Sequence, residues 1–131
     1  MAFLIHTTDD GHIPAWEYLP AGAITPKVGM ALTMTSGKLA LASGTTVPKY
    51  ICMTERDSAL TAGDIIPVIA VTDEIVYATE NSAALTEAAI GTKVTIATDG
   101  LRVTATATDG VAEIVGLEGT AVGSVVKVRF R

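Results

Sequence analysis

The clearest alternation of apolar and polar residues lies at the end of the chain, between residues 121 and 130. Three apolar residues there, Val126, Val128 and Phe130, alternate with the basic residues Lys127 and Arg129, and a third basic residue, Arg131, follows the run. A period of two places successive side chains on opposite faces of a strand. The pattern therefore predicts a half-buried strand with one apolar face and one basic face.

Shorter runs of the same kind recur along the chain, separated by segments rich in Gly, Ser, Thr and Asp. Besides the last run, the predicted strands cover residues 28–35, 38–42, 48–53, 65–71, 75–78, 93–97, 101–107 and 111–117. Asp99-Gly100 and Asp109-Gly110 favour two-residue hairpin turns, in which both central residues have positive φ. Regular short strands with such turns predict a mostly β fold, a small antiparallel β-sandwich or barrel that ends in a meander.

One segment, residues 82–90, has the features of a short helix. Asn81 or Ser82 is a suitable N-cap, and the segment is rich in Ala with one Leu. Gly91 stands where a left-handed residue commonly ends a helix. We expect a single short helix here.

The first 26 residues differ from the rest because they show no sustained period. Pro14, Pro20 and Pro26 interrupt them, and proline cannot donate a hydrogen bond within a central strand. They also hold Trp16 and Tyr18. The pattern predicts an irregular N-terminal arm (1–26) and a single β domain (27–131), with the arm either packed on its own domain or docked on a partner.

Composition limits the possible functions. Of the 131 residues, 49% are hydrophobic and 18% are charged, which is typical of a folded domain rather than a disordered chain. The net charge of −5 disfavours nucleic-acid binding, which depends on Lys and Arg. No basic leader and no run of about 20 apolar residues occurs, so neither a secretory signal nor a membrane-spanning helix is expected. The single cysteine, Cys52, is interpreted as a small buried hydrophobe.

Residues that could carry catalysis do not form a familiar pattern. Asp9, Asp10 and His12 could begin a metal site, but no further ligands are evident, and a solvated turn is the favoured interpretation. Glu55, Asp57 and the pair at 73–74 fall in predicted loops, as ordinary surface carboxylates do. No nucleophile elbow or phosphate-binding glycine motif occurs. We therefore expect no enzymatic activity, no catalytic or metal-binding residues and no cofactor.

The stretch from 26 to 53, PKVGMALTMTSGKLALASGTTVPKYICM, resembles the core pattern of the head decoration (capsid cement) proteins of tailed bacteriophages. In that pattern a first strand leads to a Ser-Gly turn, a Lys-Leu-Ala-Leu strand, a Gly-Thr loop and a returning strand. AGDIIPVIAV at 62–71 and GTKVTI at 91–96 also resemble small phage structural proteins. The resemblance covers about two-thirds of the chain, and the C-terminal meander is longer than in the family pattern.

The resemblance implies a mostly β domain with an irregular N-terminal arm and self-association, commonly as trimers. It implies binding to the major capsid protein on the outer face of an assembled shell, and hence a virion location after synthesis in the bacterial cytoplasm. It implies no catalytic residue, and no nucleic-acid or membrane partner is expected. Another head–tail or tail-tube component, or a small-ligand-binding β module, remains the alternative.

Residues at both ends of the chain are the candidates for partner binding. The arm contributes an apolar and aromatic set, and the last strand contributes its basic face. The expected contact residues are Phe3, Leu4, Ile5, Trp16, Tyr18, Lys127, Arg129 and Arg131. For the basic residues, a solvated or edge-protecting face is the competing interpretation.

Overall fold

A computed structural model describes residues 2–131, which fold into two β-sheets. The strands are β1 (Leu4–Thr8), β2 (Trp16–Pro20), β3 (Ala31–Thr35), β4 (Lys38–Leu41), β5 (Tyr50–Cys52), β6 (Ile65–Ala70), β7 (Ile75–Asn81), β8 (Lys93–Val94), β9 (Arg102–Val103), β10 (Ala112–Leu117) and β11 (Val125–Phe130). The predicted fold class is confirmed, since the chain is mostly β and its two antiparallel sheets form a sandwich-like arrangement.

The larger sheet has the strand order β1-β7-β11-β10-β8, and β9 pairs in parallel with the end of β7. The predicted alternation in β11 is confirmed, because Val126, Val128 and Phe130 are buried while Lys127 and Arg129 are only partly buried. This sheet buries its inner face against the second sheet.

The smaller sheet has the order β2-β6-β5-β3-β4 and curls until its two outer strands approach each other. Ala21, just after β2, forms a parallel bridge with Leu39 of β4, and the Gly22 N–H donates to the Leu39 carbonyl at 2.9 Å. The curled sheet encloses its own apolar cluster of Ala21, Met30, Leu32, Leu39, Cys52, Ile66 and Val68. The sheet is therefore close to a barrel.

The main core lies between the two sheets and includes an aromatic group. The rings of Phe3 and Phe130 meet edge to face with centroids 5.0 Å apart, and Tyr77 lies 5.3 Å from Phe130. Edge-to-face aromatic contacts add to the stabilisation from burial. The residue just before β1 is thus joined to the last strand.

The predicted N-terminal arm is not irregular, which corrects that expectation. β1 pairs with β7 of the larger sheet, and β2 pairs with β6 of the smaller one. Phe3 is only 1% exposed, so burial of one aromatic side chain fixes the start of β1. Pro20 is accommodated because β2 is an edge strand, where a missing N–H does not interrupt a ladder.

The predicted helix over residues 82–90 is wrong. In the described chain that segment contains only a single 3-10 turn, Glu87–Ala89. Its backbone is used elsewhere: the Ser82 N–H donates to the Val103 carbonyl at 2.7 Å, and the Leu85 N–H to the Thr120 carbonyl at 3.1 Å. A helix of nine residues is marginal on propensity alone, so these tertiary contacts decide the conformation.

The two Asp-Gly pairs do not form the predicted two-residue hairpins. Only Gly100 in the first pair and Asp109 in the second have positive φ. The Asp99 carboxylate instead accepts the Leu101 N–H at 2.9 Å, which closes a local side-chain turn. The strand β8 pairs with β10, and β9 pairs with β7, while the segments that flank Asp99-Gly100 still meet through an antiparallel bridge between Ile96 and Val103. The strands β10 and β11 form an antiparallel hairpin.

Candidate partner-binding surface

Two aromatic side chains project from β2 into solvent. Trp16 and Tyr18 lie two residues apart and therefore on one face of the strand, where they are 52% and 64% exposed. Their cross-strand neighbours on β6 are Ile69 and Pro67. Pro20 lies opposite Ile65, which is also exposed. This face of the sheet edge is uncharged.

An apolar groove adjoins the same face. It has a volume of about 220 Å³ and is lined by Phe3, Leu4, Ile5, Ile13, Val28, Gly29, Ile51, Met53 and Ile69. Ile69 belongs to both features, because it lines the groove and is the cross-strand neighbour of Trp16. Ile69, which is itself buried, therefore links the groove to the strand pair that carries Trp16.

Gly29 makes the groove possible. The Phe3 N–H donates to the Gly29 carbonyl at 3.0 Å, so the beginning of β1 lies directly against residue 29. A Cβ at that position would lie 2.9 Å from the Phe3 carbonyl oxygen, and Gly29 has a φ of +84°. Only glycine fits this position without displacing β1.

We call the exposed members of this region the apolar surface. It comprises Leu4, Ile13, Trp16, Tyr18, Val28 and Ile65, all of them exposed. Large exposed apolar patches on a folded domain commonly mark sites of interaction with other molecules. The apolar surface is the candidate functional site of the described chain.

The loop of residues 9–15 (the 9–15 loop) joins the two sheets beside this surface. The Arg129 guanidinium donates to both Asp9 carboxylate oxygens, at 2.8 and 2.9 Å, and to the Asp73 carbonyl at 2.9 Å. This bidentate contact holds the pKa of Asp9 below its usual range and raises the pKa of Arg129. The start of the loop is thereby attached to β11.

A second depression lies on the other side of the 9–15 loop. It has a volume of about 310 Å³ and is lined by Asp10, His12, Ile13, Pro14, Ala15, Thr72, Glu74 and Ile75. We call it the acidic pocket, because it contains two carboxylates and no Lys or Arg side chain. Ile13 separates it from the apolar groove, since this residue lines both.

The structure divides the partner-binding residues predicted in the N-terminal segment. Leu4, Trp16 and Tyr18 lie in the apolar surface, and Ile5 is half-buried at the groove. Phe3 lies in the core, so it positions β1 and is not accessible to a partner in this state.

The three basic residues lie on the opposite face of β11 from the core. Each is paired within the chain: Lys127 with Glu118 at 3.7 Å, Arg129 with Asp9 at 2.8 Å and Arg131 with Glu113 at 3.4 Å. The structure does not bring them into the apolar surface. Their charges are matched by carboxylates of the same molecule.

Sequence reasoning missed three members of the apolar surface: Ile13, Val28 and Ile65. The sequence placed Val28 and Ile65 in predicted strands (28–35 and 65–71). Val28 in fact precedes β3, Ile65 begins β6, and both side chains are exposed. Ile13 stands alone in a polar segment before Pro14. A single large aliphatic residue within a polar turn is the sequence signal that could have identified Ile13 as a member of the apolar surface.

Reactive groups are not gathered into a site in the described part of the chain. Among residues 2–131 no group of three or more His, Cys, Asp or Glu side chains could hold a metal ion. Burial raises the pKa of the Cys52 thiol, whose Sγ lies 3.2 Å from the Thr54 carbonyl. A raised pKa disfavours the nucleophilic thiolate.

Neither a membrane-spanning helix nor a similarity to a known protein points to a function for the described residues. Within the described residues, no helix has the length and apolar character needed to cross a membrane. No protein-family model matches the chain, and no curated protein sequence matches it. The features of the chain itself therefore carry the functional argument.

Proposed function

We propose that this chain is a non-enzymatic virion structural protein that binds the outer surface of an assembled phage capsid and stabilises it. The apolar surface carries the proposal. Its exposed aromatic residues lie on β2, the edge strand of the smaller sheet, and no charged residue is a member of this surface. Trp and Tyr are the residues that most often dominate binding energy at protein interfaces.

The resemblance of residues 26–53 to head decoration proteins supports the identity of the partner. In the structure that stretch contains β3, β4 and β5, which form the wall of the smaller sheet that carries β6 and β2. The proposed partners are the major capsid protein and further copies of the chain, with a trimer favoured by the resemblance. A protein that binds only the assembled lattice stabilises that state by mass action.

The test is binding to shells. Purified protein is mixed with expanded shells and with compact precursor shells of the major capsid protein, and bound protein is measured after sedimentation. We expect binding to expanded shells alone. Equal binding to both forms, or to neither, would refute the proposal, and long tubes in negative-stain images would indicate a tail-tube component instead.

A double variant tests whether the apolar surface is the part of the protein that binds the shell. Trp16→Ala with Tyr18→Ala should weaken binding to expanded shells by roughly tenfold or more, because each removes a large side chain from the interface. The matched control is Val122→Ala, which truncates a 63% exposed side chain in the β10–β11 turn. The unfolding midpoint of each variant is measured alongside, and a selective loss of shell binding in a double variant that is folded at the assay temperature reports binding.

A further inference from the structure

The apolar groove and the acidic pocket share one lining residue, Ile13 of the 9–15 loop, which is 68% exposed. A ligand segment that crosses Ile13 would contact both depressions at once. The two linings differ in chemical character, and this difference predicts which side chains such a segment must have.

The acidic pocket is lined by two carboxylates, and the other titratable side chain in its lining is that of His12. One Asp10 carboxylate oxygen accepts the His12 backbone N–H at 2.9 Å, and Glu74 contributes a second carboxylate. Arg129 contacts the 9–15 loop, but its guanidinium already donates hydrogen bonds to the Asp9 carboxylate and to the Asp73 carbonyl. A cationic group is the complementary ligand for this pocket.

The apolar groove has the opposite character. No charged side chain lines it, and its volume of about 220 Å³ accommodates one large aliphatic or aromatic side chain. A partner side chain that enters the groove would bind through burial of its apolar area, and a charge on that side chain would not strengthen its binding. The two depressions together fit an apolar residue with a basic residue close by.

We propose that this double depression binds a segment of the major capsid protein in which a large apolar residue is flanked by Lys or Arg. The apolar side chain enters the groove, and the cation lies over Asp10 and Glu74. This inference rests on the proposed function, and it specifies the chemistry of the partner segment. The net charge of −5 favours approach of a basic segment over an acidic one.

The experiment uses full-length protein and expanded shells of the major capsid protein, with two sets of variants. Ile13→Ala should weaken shell binding by roughly tenfold, since it truncates the wall of the groove. Asp10→Asn with Glu74→Gln should weaken binding by roughly fivefold at about 50 mM NaCl, with a much smaller effect at about 500 mM, where exposed charges are screened. The Asn side chain retains an acceptor for the His12 N–H.

Controls make the outcome specific. Glu87→Gln neutralises an exposed carboxylate in the 3-10 turn, and Val122→Ala truncates an exposed aliphatic residue; neither lines the double depression. If wild type binds shells but the Asp10/Glu74 variant binds equally well at both salt concentrations, this inference is wrong while the proposed function stands. If wild type does not bind shells, both fail.

Discussion

The two ends of the chain leave different kinds of surface exposed. The C-terminal hairpin, β10 and β11, pairs each basic side chain of its outer face with a carboxylate of the same molecule. The N-terminal strand β2 instead exposes two aromatic rings with no polar partner on their face. The charges of the hairpin surface are thus matched within the molecule, whereas the large side chains of the apolar surface remain exposed.

The largest effect should come from the contact that joins these ends. Phe3→Ala should lower the free energy of unfolding by about 3–5 kcal/mol, because it leaves a cavity beside Phe130 in the main core. Chemical denaturation measures this, with Leu4→Ala as the control, since Leu4 is adjacent but 45% exposed. Equal, small losses in both variants would show that β1 is a detachable arm.

A smaller effect should distinguish the two faces of β11. Val128 is fully buried, so Val128→Ala should lower the free energy of unfolding by about 2 kcal/mol, from lost burial and the cavity left behind. Lys127→Ala is the control on the outer face, where its exposed ion pair contributes little. A larger loss in the lysine variant would contradict the assignment of the two faces.

The smallest effect concerns the ion pair that attaches the 9–15 loop to β11. The pKa of Asp9 is lowered in the folded state, chiefly by its hydrogen bonds to Arg129. Its contribution to stability is therefore present above the ordinary carboxyl pKa of 3.8 and is lost as the pH falls through the lowered value.

The difference in urea midpoint between wild type and Asp9→Asn measures this contribution. We expect a small difference at pH 7 that shrinks in acid, while Asp10→Asn serves as a control that lacks the Arg129 contact. A difference that grows as the pH falls would mean that the pair does not act as described.

The sequence predicted those features of the structure that depend on neighbouring residues. The alternation in β11 identified its buried face and its solvent face. Successive side chains of a strand point to opposite faces, so the apolar set must face the core and the polar set must face solvent. Trp16 and Tyr18 were identified as contact candidates because large amphipathic rings in a proline-rich segment are unusual. Sequence also separated the residues of β3 to β6 into strands, with bounds a few residues too wide at some ends.

The sequence failed where long-range pairing competes with local preference. Residues 82–90 have good helix propensity, but carbonyls of Val103 and Thr120 accept their N–H groups. Phe3 was predicted to lie in an irregular arm and to contact a partner, because Phe130, which it contacts in the fold, is at the other end of the chain. The groove likewise depends on Gly29 lying against Phe3, a contact that no local pattern contains.

The sequence by itself therefore determined the fold class and the faces of its strongest strand, because period-two alternation is a local property. Only the tertiary structure decided that the N-terminal residues form edge strands of both sheets and that the basic residues of β11 are matched within the molecule. It also brought Leu4, Ile13 and Val28 together around one groove, which Ile69, the cross-strand neighbour of Trp16, lines as well. These arrangements join residues far apart in the chain, and their positions follow from how the two sheets pack.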